Sequence, residues 1–172
     1  PGRGETVLAA EAVRPAPVVR RLLEHGFDGE FRLERESGPR TVRLRGKADR
    51  VDLLADGRLR IVDYKIGRAP EDSIQLPVYA VCLPQHLRRD TGEQWNVGEA
   101  LYIAFGEPQR AVRPVLDGTP KSEQELAKAQ VKVLDAVDGI ERGEFPPRPT
   151  TPRLCVTCAY AAVCRKDYVG AD

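Results

Sequence analysis

The sequence predicts an α/β domain, and three observations carry that prediction. Apolar and charged residues alternate from Val42 to Asp49, as in a strand with one buried face. The dipeptide Asp56-Gly57 then turns the chain into a second apolar run, Leu59 to Lys65, as in a hairpin. Helix-period stretches follow from Ser73 and from Ser122, with two more strand-like runs between them. With 172 residues and 41% hydrophobic content, the chain can bury one core, so a single domain over 1–172 is expected.

Composition sets only mild bounds. The net charge of +1 does not advertise a nucleic-acid partner. Only six of the 27 basic residues are lysine, at 47, 65, 121, 128, 132 and 166. Arginine suits bidentate phosphate contacts, but biased codon usage explains the excess equally well. No apolar run reaches membrane-spanning length and no signal peptide is visible, so no membrane partner and a cytoplasmic location are expected. The chain lacks methionine and opens at Pro1, which reads as a piece of a longer protein.

Ala12 to Gly26 reads as a short helix, with Val18, Val19, Leu22 and Leu23 apolar. Phe27 to Leu54 turns to strand, broken at Ser37-Gly38-Pro39. Within it Val42, Leu44, Gly46 and Ala48 share one face, and Arg43, Arg45, Lys47 and Asp49 the other. Gly67 to Asp72 is a loop, and Ser73 can cap a helix to about Leu83, with Pro77 in its first turn and Pro84 ending it. Pro84 to Gly98 reads as a polar loop carrying Trp95, and Ala100–Phe105 and Ala111–Leu116 as strands. Ser122 and Glu125 form a capping box for a long helix whose apolar face is Leu126, Ala129, Val133, Val137 and Ile140. A proline-rich arm, Phe145 to Pro152, leads to the cysteine segment, so 145–172 is a C-terminal appendage.

The chemistry-bearing residues sit at the ends of the hairpin strands. Asp63 and Lys65 lie two apart and project together, and Asp49 ends the strand that pairs with theirs. Two carboxylates and a lysine suit a hard cation beside a phosphate, the chemistry of phosphodiester hydrolysis. Asp49 and Asp63 are the ligand candidates, with the Tyr64 backbone carbonyl as a further oxygen. Lys65 would orient or deprotonate the attacking water and offset developing charge. Gln75 and Tyr79 share a helix face and can both point at the strand ends. Asp-x-Lys alone is a commonplace surface pair, and the basic stripe of Arg43, Arg45 and Lys47 alone is an ordinary solvated face.

The larger pattern is Gly46-x-x-Asp49, then Val62-Asp63-Tyr64-Lys65-Ile66-Gly67, then Gln75-x-x-x-Tyr79. In it the chain resembles the RecB-type branch of the PD-(D/E)xK nuclease superfamily, which includes the RecB and AddB nuclease domains and the CRISPR adaptation nucleases. The resemblance runs from about Phe27 to Arg165. It implies a restriction-endonuclease-like mixed central sheet of about four strands flanked by helices. It makes Asp49 and Asp63 ligands of Mg2+ or Mn2+, Lys65 the catalytic lysine, and Gln75 and Tyr79 an accessory motif. Arg43, Arg45, Lys47 and Tyr79 become contacts to DNA. Implied partners are DNA ends or single strands and a helicase domain or subunit of the parent protein, as in a helicase–nuclease or a repair exonuclease.

The family usually draws a further ligand, often histidine, from an upstream helix. His25 reads instead as a helix-end histidine and Glu30 as a weaker substitute, so that helix is expected to precede Pro1 and this piece to be short of a ligand. Asp52 reads as a salt-bridge partner for Arg50 or Arg60. The alternative function is a nuclease-like domain that no longer cuts and serves as a DNA-end grip or scaffold.

Cys155-x-x-Cys158 and Cys164 offer three thiolates within ten residues. Zinc and an iron–sulfur cluster both accept thiolates, so spacing alone does not choose between them. The resemblance to AddB-like and CRISPR adaptation nucleases implies three of the four ligands of a [4Fe–4S] cluster, incomplete or replaced by zinc in this piece. Cys82 is expected to pack on the helix face of Gln75 and Tyr79.

Overall fold

Gly57, at φ 78°, makes the turn on which the sheet is built, and its N–H donates to the Leu54 carbonyl at 3.1 Å. This conformation favours glycine because a Cβ would clash there. The computed structural model describes Glu5, Ala9 and residues 17–106, 111–144 and 153–164. The turn joins β2 (Arg40–Leu54) to β3 (Arg58–Lys65) as an antiparallel pair, in register from Leu53–Leu59 to Arg50–Val62. On the other side β2 pairs antiparallel with β1 (Val18–Leu33). Strand β4 (Asn96–Ala104) lies parallel to β3, and β5 (Val112–Leu116) closes the sheet antiparallel to β4. The five strands therefore form a mixed sheet in the order β1-β2-β3-β4-β5.

A parallel pair needs a crossover, and α1 (Gln75–Thr91) supplies it. The helix buries Leu76, Ala80, Cys82, Leu83 and Leu87 and lies against β1, β3, β4 and β5. Sheet residues Phe27, Phe31, Val51, Leu53, Leu59 and Ile61 are also buried. A smaller apolar cluster of Val62, Leu101 and Ile103 is flanked by Tyr64, Phe105 and Val112. Helix α2 (Pro120–Glu141) follows β5, and its Gln130 Oε1 accepts the Glu34 N–H at 2.9 Å, tying the helix to the end of β1.

The chain clusters into two units, 1–134 and 135–172. The second holds the end of α2, the short α3 (Arg153–Val156) and a run of turns to Val163. No described helix is long and apolar enough to cross a membrane.

Three local expectations change. Of the helix expected over 12–26, residues 18–26 are strand, because β2 offers a partner along nearly the whole length of β1, and residues 12–16 lie outside the described residues. Pro84 does not end α1, which runs on to Thr91 and stops at Gly92 in the left-handed conformation. An interior proline costs about 3 kcal/mol. Beyond it, burial of Leu87 returns about 2 kcal/mol. The Gln85 side chain also accepts the Arg32 N–H and donates to the Arg32 carbonyl, both at 3.0 Å, so the continued helix wins. The supposed loop around Trp95 shrinks accordingly, and β4 starts at Asn96. The third change concerns α2, which is capped by Thr119: its Oγ1 accepts the Ser122 N–H at 3.4 Å, which puts Pro120 first in the helix and Ser122 inside it.

Asp52 is the buried charge that organises β1 to β3. It accepts from Arg50 at 2.9 and 2.5 Å and from Arg21 at 2.8 Å, with Arg60 at 3.9 Å. Burial pushes its carboxyl up, but Arg50 and Arg21 outweigh that and hold it below the usual 3.8. A depressed carboxyl contributes stability above its ordinary pKa and loses it as pH falls toward the folded value. Asp52→Asn should cost about 3–5 kcal/mol near neutral pH, because it leaves Arg50 buried without its counter-charge. In thermal melts the gap from the wild type should close as pH drops below 3.8. A gap that persists undiminished into acid would show that charge is not what Asp52 contributes.

Candidate active site

The β2–β3 ladder ends at Arg50–Val62, and the next backbone donor on β3 is met by a side chain. Asp49 Oδ2 accepts the Tyr64 N–H at 2.8 Å. Within a strand, the N–H and C=O of one residue point to the same side, so the Tyr64 carbonyl also faces the Asp49 side. From the other edge of Tyr64, Arg50 donates to its hydroxyl at 3.2 Å. Asp49 is half-buried, and every residue from Arg50 to Leu54 is buried.

Asp63 and Lys65 project together, as alternation requires, and α1 brings Gln75 over them. Gln75 Nε2 donates to Asp63 Oδ1 at 2.8 Å, while its Oε1 accepts from Lys65 Nζ at 3.1 Å. One amide thus holds both charged groups. Its Nε2 also reaches the Tyr79 hydroxyl at 3.1 Å, and that hydroxyl donates to the Lys47 carbonyl at 2.9 Å. Four of the residues named from sequence as catalytic, Asp63, Lys65, Gln75 and Tyr79, are therefore linked by side-chain contacts, and Asp49 is bonded to the Tyr64 backbone between Asp63 and Lys65.

Lys65 Nζ stands 2.5 Å from Asp63 Oδ2 as an ion pair. That ammonium is the partner of Oδ2, an oxygen otherwise closed off from solvent. Burial pushes the Asp63 carboxyl up; Lys65 pulls it back only in part, and the like charge of Asp49 adds to the rise. Burial disfavours the Lys65 ammonium, but hydrogen bonding and attraction from Asp63 leave its pKa raised. The asymmetry follows exposure, 3% for the Asp63 side chain against 29% for Lys65.

A hard cation takes oxygen ligands and is commonly held by one or two carboxylates with water completing its shell. Asp49 and Asp63 fit that role by the chemistry of their carboxylates, at the inner end of the β2–β3 pair. Among the described residues no group of three or more His, Cys, Asp or Glu is gathered for a metal. His25 lies on β1 opposite Ala48, not at a helix end, with its ring 5.5 Å from that of His86. Glu30 lies opposite Arg43 on β1 and is exposed.

Of the proposed DNA contacts, Arg43 pairs with Asp28 at 3.3 Å and Lys47 with Glu24 at 2.5 Å. Such exposed pairs are worth little and are readily exchanged for phosphate. Tyr102 was not foreseen: the parallel register sets it beside Asp63, with its ring centroid 5.4 Å from Lys65 Nζ. Only the β3–β4 register reveals it.

Cys155 and Cys164 are half-buried and Cys158 is exposed; the three are free thiols and are not gathered into a metal-binding group. They do not make a closed site, and no cluster chemistry follows from their placement. Cys82 is packed inside α1, where burial pushes its thiol up to about 12.

The model of the PD-(D/E)XK nuclease superfamily matches residues 4–165. The chain belongs to this superfamily. The Gene 69 protein of Mycobacterium phage D29 is 29% identical over 126 residues, 72% of this chain and 43% of that protein. The chain thus spans less than half the length of this relative. The crystal structure of SSO0001 aligns over 94% of this chain and 68% of its own, at 15% identity and a TM-score of 0.43. The mixed five-stranded sheet with its helices is consistent with the PD-(D/E)XK fold.

Gly46 of this superfamily member is held by packing. A Cβ there would fall 2.4 Å from the Phe27 ring, which meets the Tyr79 ring edge-on at 5.4 Å. Gly46→Ala should cost about 1–3 kcal/mol by overpacking and disturb Tyr79 through Phe27. Thermal melts would read the loss, and an unchanged Tm would refute the constraint.

Proposed function

We propose that this PD-(D/E)XK domain hydrolyses phosphodiester bonds in DNA with a divalent cation, Mg2+ or Mn2+, held by Asp49 and Asp63. The observation that carries the reading is the Gln75 amide joining Asp63 to Lys65, next to Asp49 at the end of the β2–β3 ladder. When bound, the cation would polarise a phosphate oxygen and lower the pKa of a water. Asp63 and Asp49 supply carboxylate oxygens, and the Tyr64 carbonyl faces the same side. Lys65 presents a positive charge where negative charge grows on the phosphate. Gln75 fixes the lysine by its carbonyl oxygen, and Tyr79 fixes Gln75. Arg43, Arg45 and Lys47 are the proposed backbone contacts, independent of sequence and sensitive to salt.

Attachment to a helicase, a role in DNA repair, DNA ends or single strands as substrate, and a cytoplasmic setting are parts of the same proposal, resting on the motif resemblance. A second reading, a DNA-end grip that does not cut, is favoured by one observation: the described residues gather no group of three or more His, Cys, Asp or Glu side chains.

Asp63→Asn, Asp49→Asn or Lys65→Ala should each lower Mg2+-dependent degradation of linear DNA by about 1000-fold or more. Full activity in any of the three would sink the catalytic assignment. Calorimetric titration of the wild type with Mn2+ separates the two readings: heat that disappears in Asp63→Asn supports the nuclease, and no heat in the wild type supports the grip.

A further inference from the structure

Lys65 is held on two sides by acceptors and on a third by a ring. Its ammonium stands 2.5 Å from Asp63 Oδ2 and 3.1 Å from Gln75 Oε1. The Tyr102 ring faces it, with the centroid 5.4 Å from Nζ. An ammonium has three donors, and among the described residues no other acceptor meets the third. A further carboxylate in the place of the ring would neutralise the cation. An aromatic face attracts it through the ring quadrupole and adds no net charge. One N–H is thus left to a substrate phosphate.

Strand β4 makes room for the ring. In the parallel β3–β4 pair Asp63 is in register with Tyr102, and Lys65 with Ala104. Ala100, Tyr102 and Ala104 share one face of β4 by alternation, and all three are buried. With an alanine on either side, the ring can lean along the strand toward the Lys65 ammonium.

The hydroxyl end of the same residue reaches the start of α1, where it faces Ser73 and the Leu76 N–H. Ser73 Oγ in turn accepts the Gln75 N–H at 3.2 Å. Tyr102 therefore touches both halves of the clasp. Its ring meets the ammonium, and its hydroxyl meets the helix start that carries the Gln75 amide. Packing alone asks only for an apolar ring in this place. A tyrosine 1% exposed must bury a hydroxyl as well, which costs free energy unless polar neighbours receive it.

We propose that Tyr102 is a positioning residue for Lys65: its ring fixes where the ammonium stands, and its hydroxyl fixes the helix start that brings Gln75 to the same point. The inference rests on the nuclease reading above, in which Lys65 meets the scissile phosphate. Tyr102 touches neither DNA nor cation and acts only through Lys65 and Gln75.

The test pairs NMR of the Lys65 side chain, without metal or DNA, with steady-state cleavage of linear DNA in Mg2+. A nucleus over an aromatic face is shifted upfield. The Lys65 ε-methylene resonance should therefore lie upfield of ordinary lysine in the wild type and in Tyr102→Phe. In Tyr102→Leu it should return to the ordinary position. The kcat of Tyr102→Phe should fall about 5-fold, for the lost hydroxyl contact. That of Tyr102→Leu should fall about 50-fold, because a cation–π contact worth roughly 10-fold goes as well. KM for DNA should be unchanged in both, a split that general loosening of the core would not give. A wild-type Lys65 resonance at the ordinary lysine position overturns the proposal, and that spectrum needs no variant to fold. Wild-type kcat in either variant, beside a wild type that cuts, overturns it too. A wild type that does not cut overturns the nuclease reading alone, since the resonances still decide whether Tyr102 holds Lys65.

Discussion

The rest of the structure depends on where β2 and β3 stop pairing. Up to Arg50–Val62 the two strands satisfy one another in a regular ladder. Two residues further, the Tyr64 N–H still needs an acceptor, and a buried donor without one is expensive. Asp49 fills that need with its side chain, so the carboxylate is fixed by the same bond that ends the ladder. The neighbouring residues then fall into place by alternation, with Asp63 and Lys65 toward α1 and Tyr64 toward Arg50 and Phe105. A site built this way inherits the rigidity of the sheet instead of relying on a loop.

Charge at the site is arranged to be costly. Asp63 is nearly inaccessible, is paired with Lys65 and stands near a second carboxylate, and its pKa is still raised. Asp52 stands in the same sheet and is as deeply buried, yet its pKa is lowered, because Arg50 and Arg21 meet both its oxygens. The contrast separates two uses of one residue type. Asp52 is met by two guanidinium groups and holds strands together, whereas Asp63 has one amide and one ammonium to offset its burial.

Much of this was legible from the chain because the signals were local. The Asp56-Gly57 turn, the alternation from Val42 to Asp49 and the fourfold spacing of Gln75 and Tyr79 each specify geometry within a few residues. Features that failed to show were those decided by distant partners. Val18, Val19, Leu22 and Leu23 are spaced like a helix face, and only β2, arriving some thirty residues later, draws them into strand. Pro84 signals a helix end, and the contacts of Gln85 with Arg32 override it. Tyr102 became part of the site through a parallel register that no local pattern encodes. The cysteine spacing suggested one metal centre, but a short spacing does not by itself bring thiols together.

The crossover between β3 and β4 carries a consequence for how the domain loses its organisation. Both carboxylates ride on the sheet, while the amide that aligns them with Lys65 rides on α1. Proteins open in pieces, and a crossover helix can detach at lower free energy than the strands beneath it. Partial release of α1 would therefore leave Asp49, Asp63 and Lys65 on the sheet but take away the amide that braces Asp63 and Lys65 together. Alignment of the site is then only as durable as the docking of one helix, however stable the sheet may be.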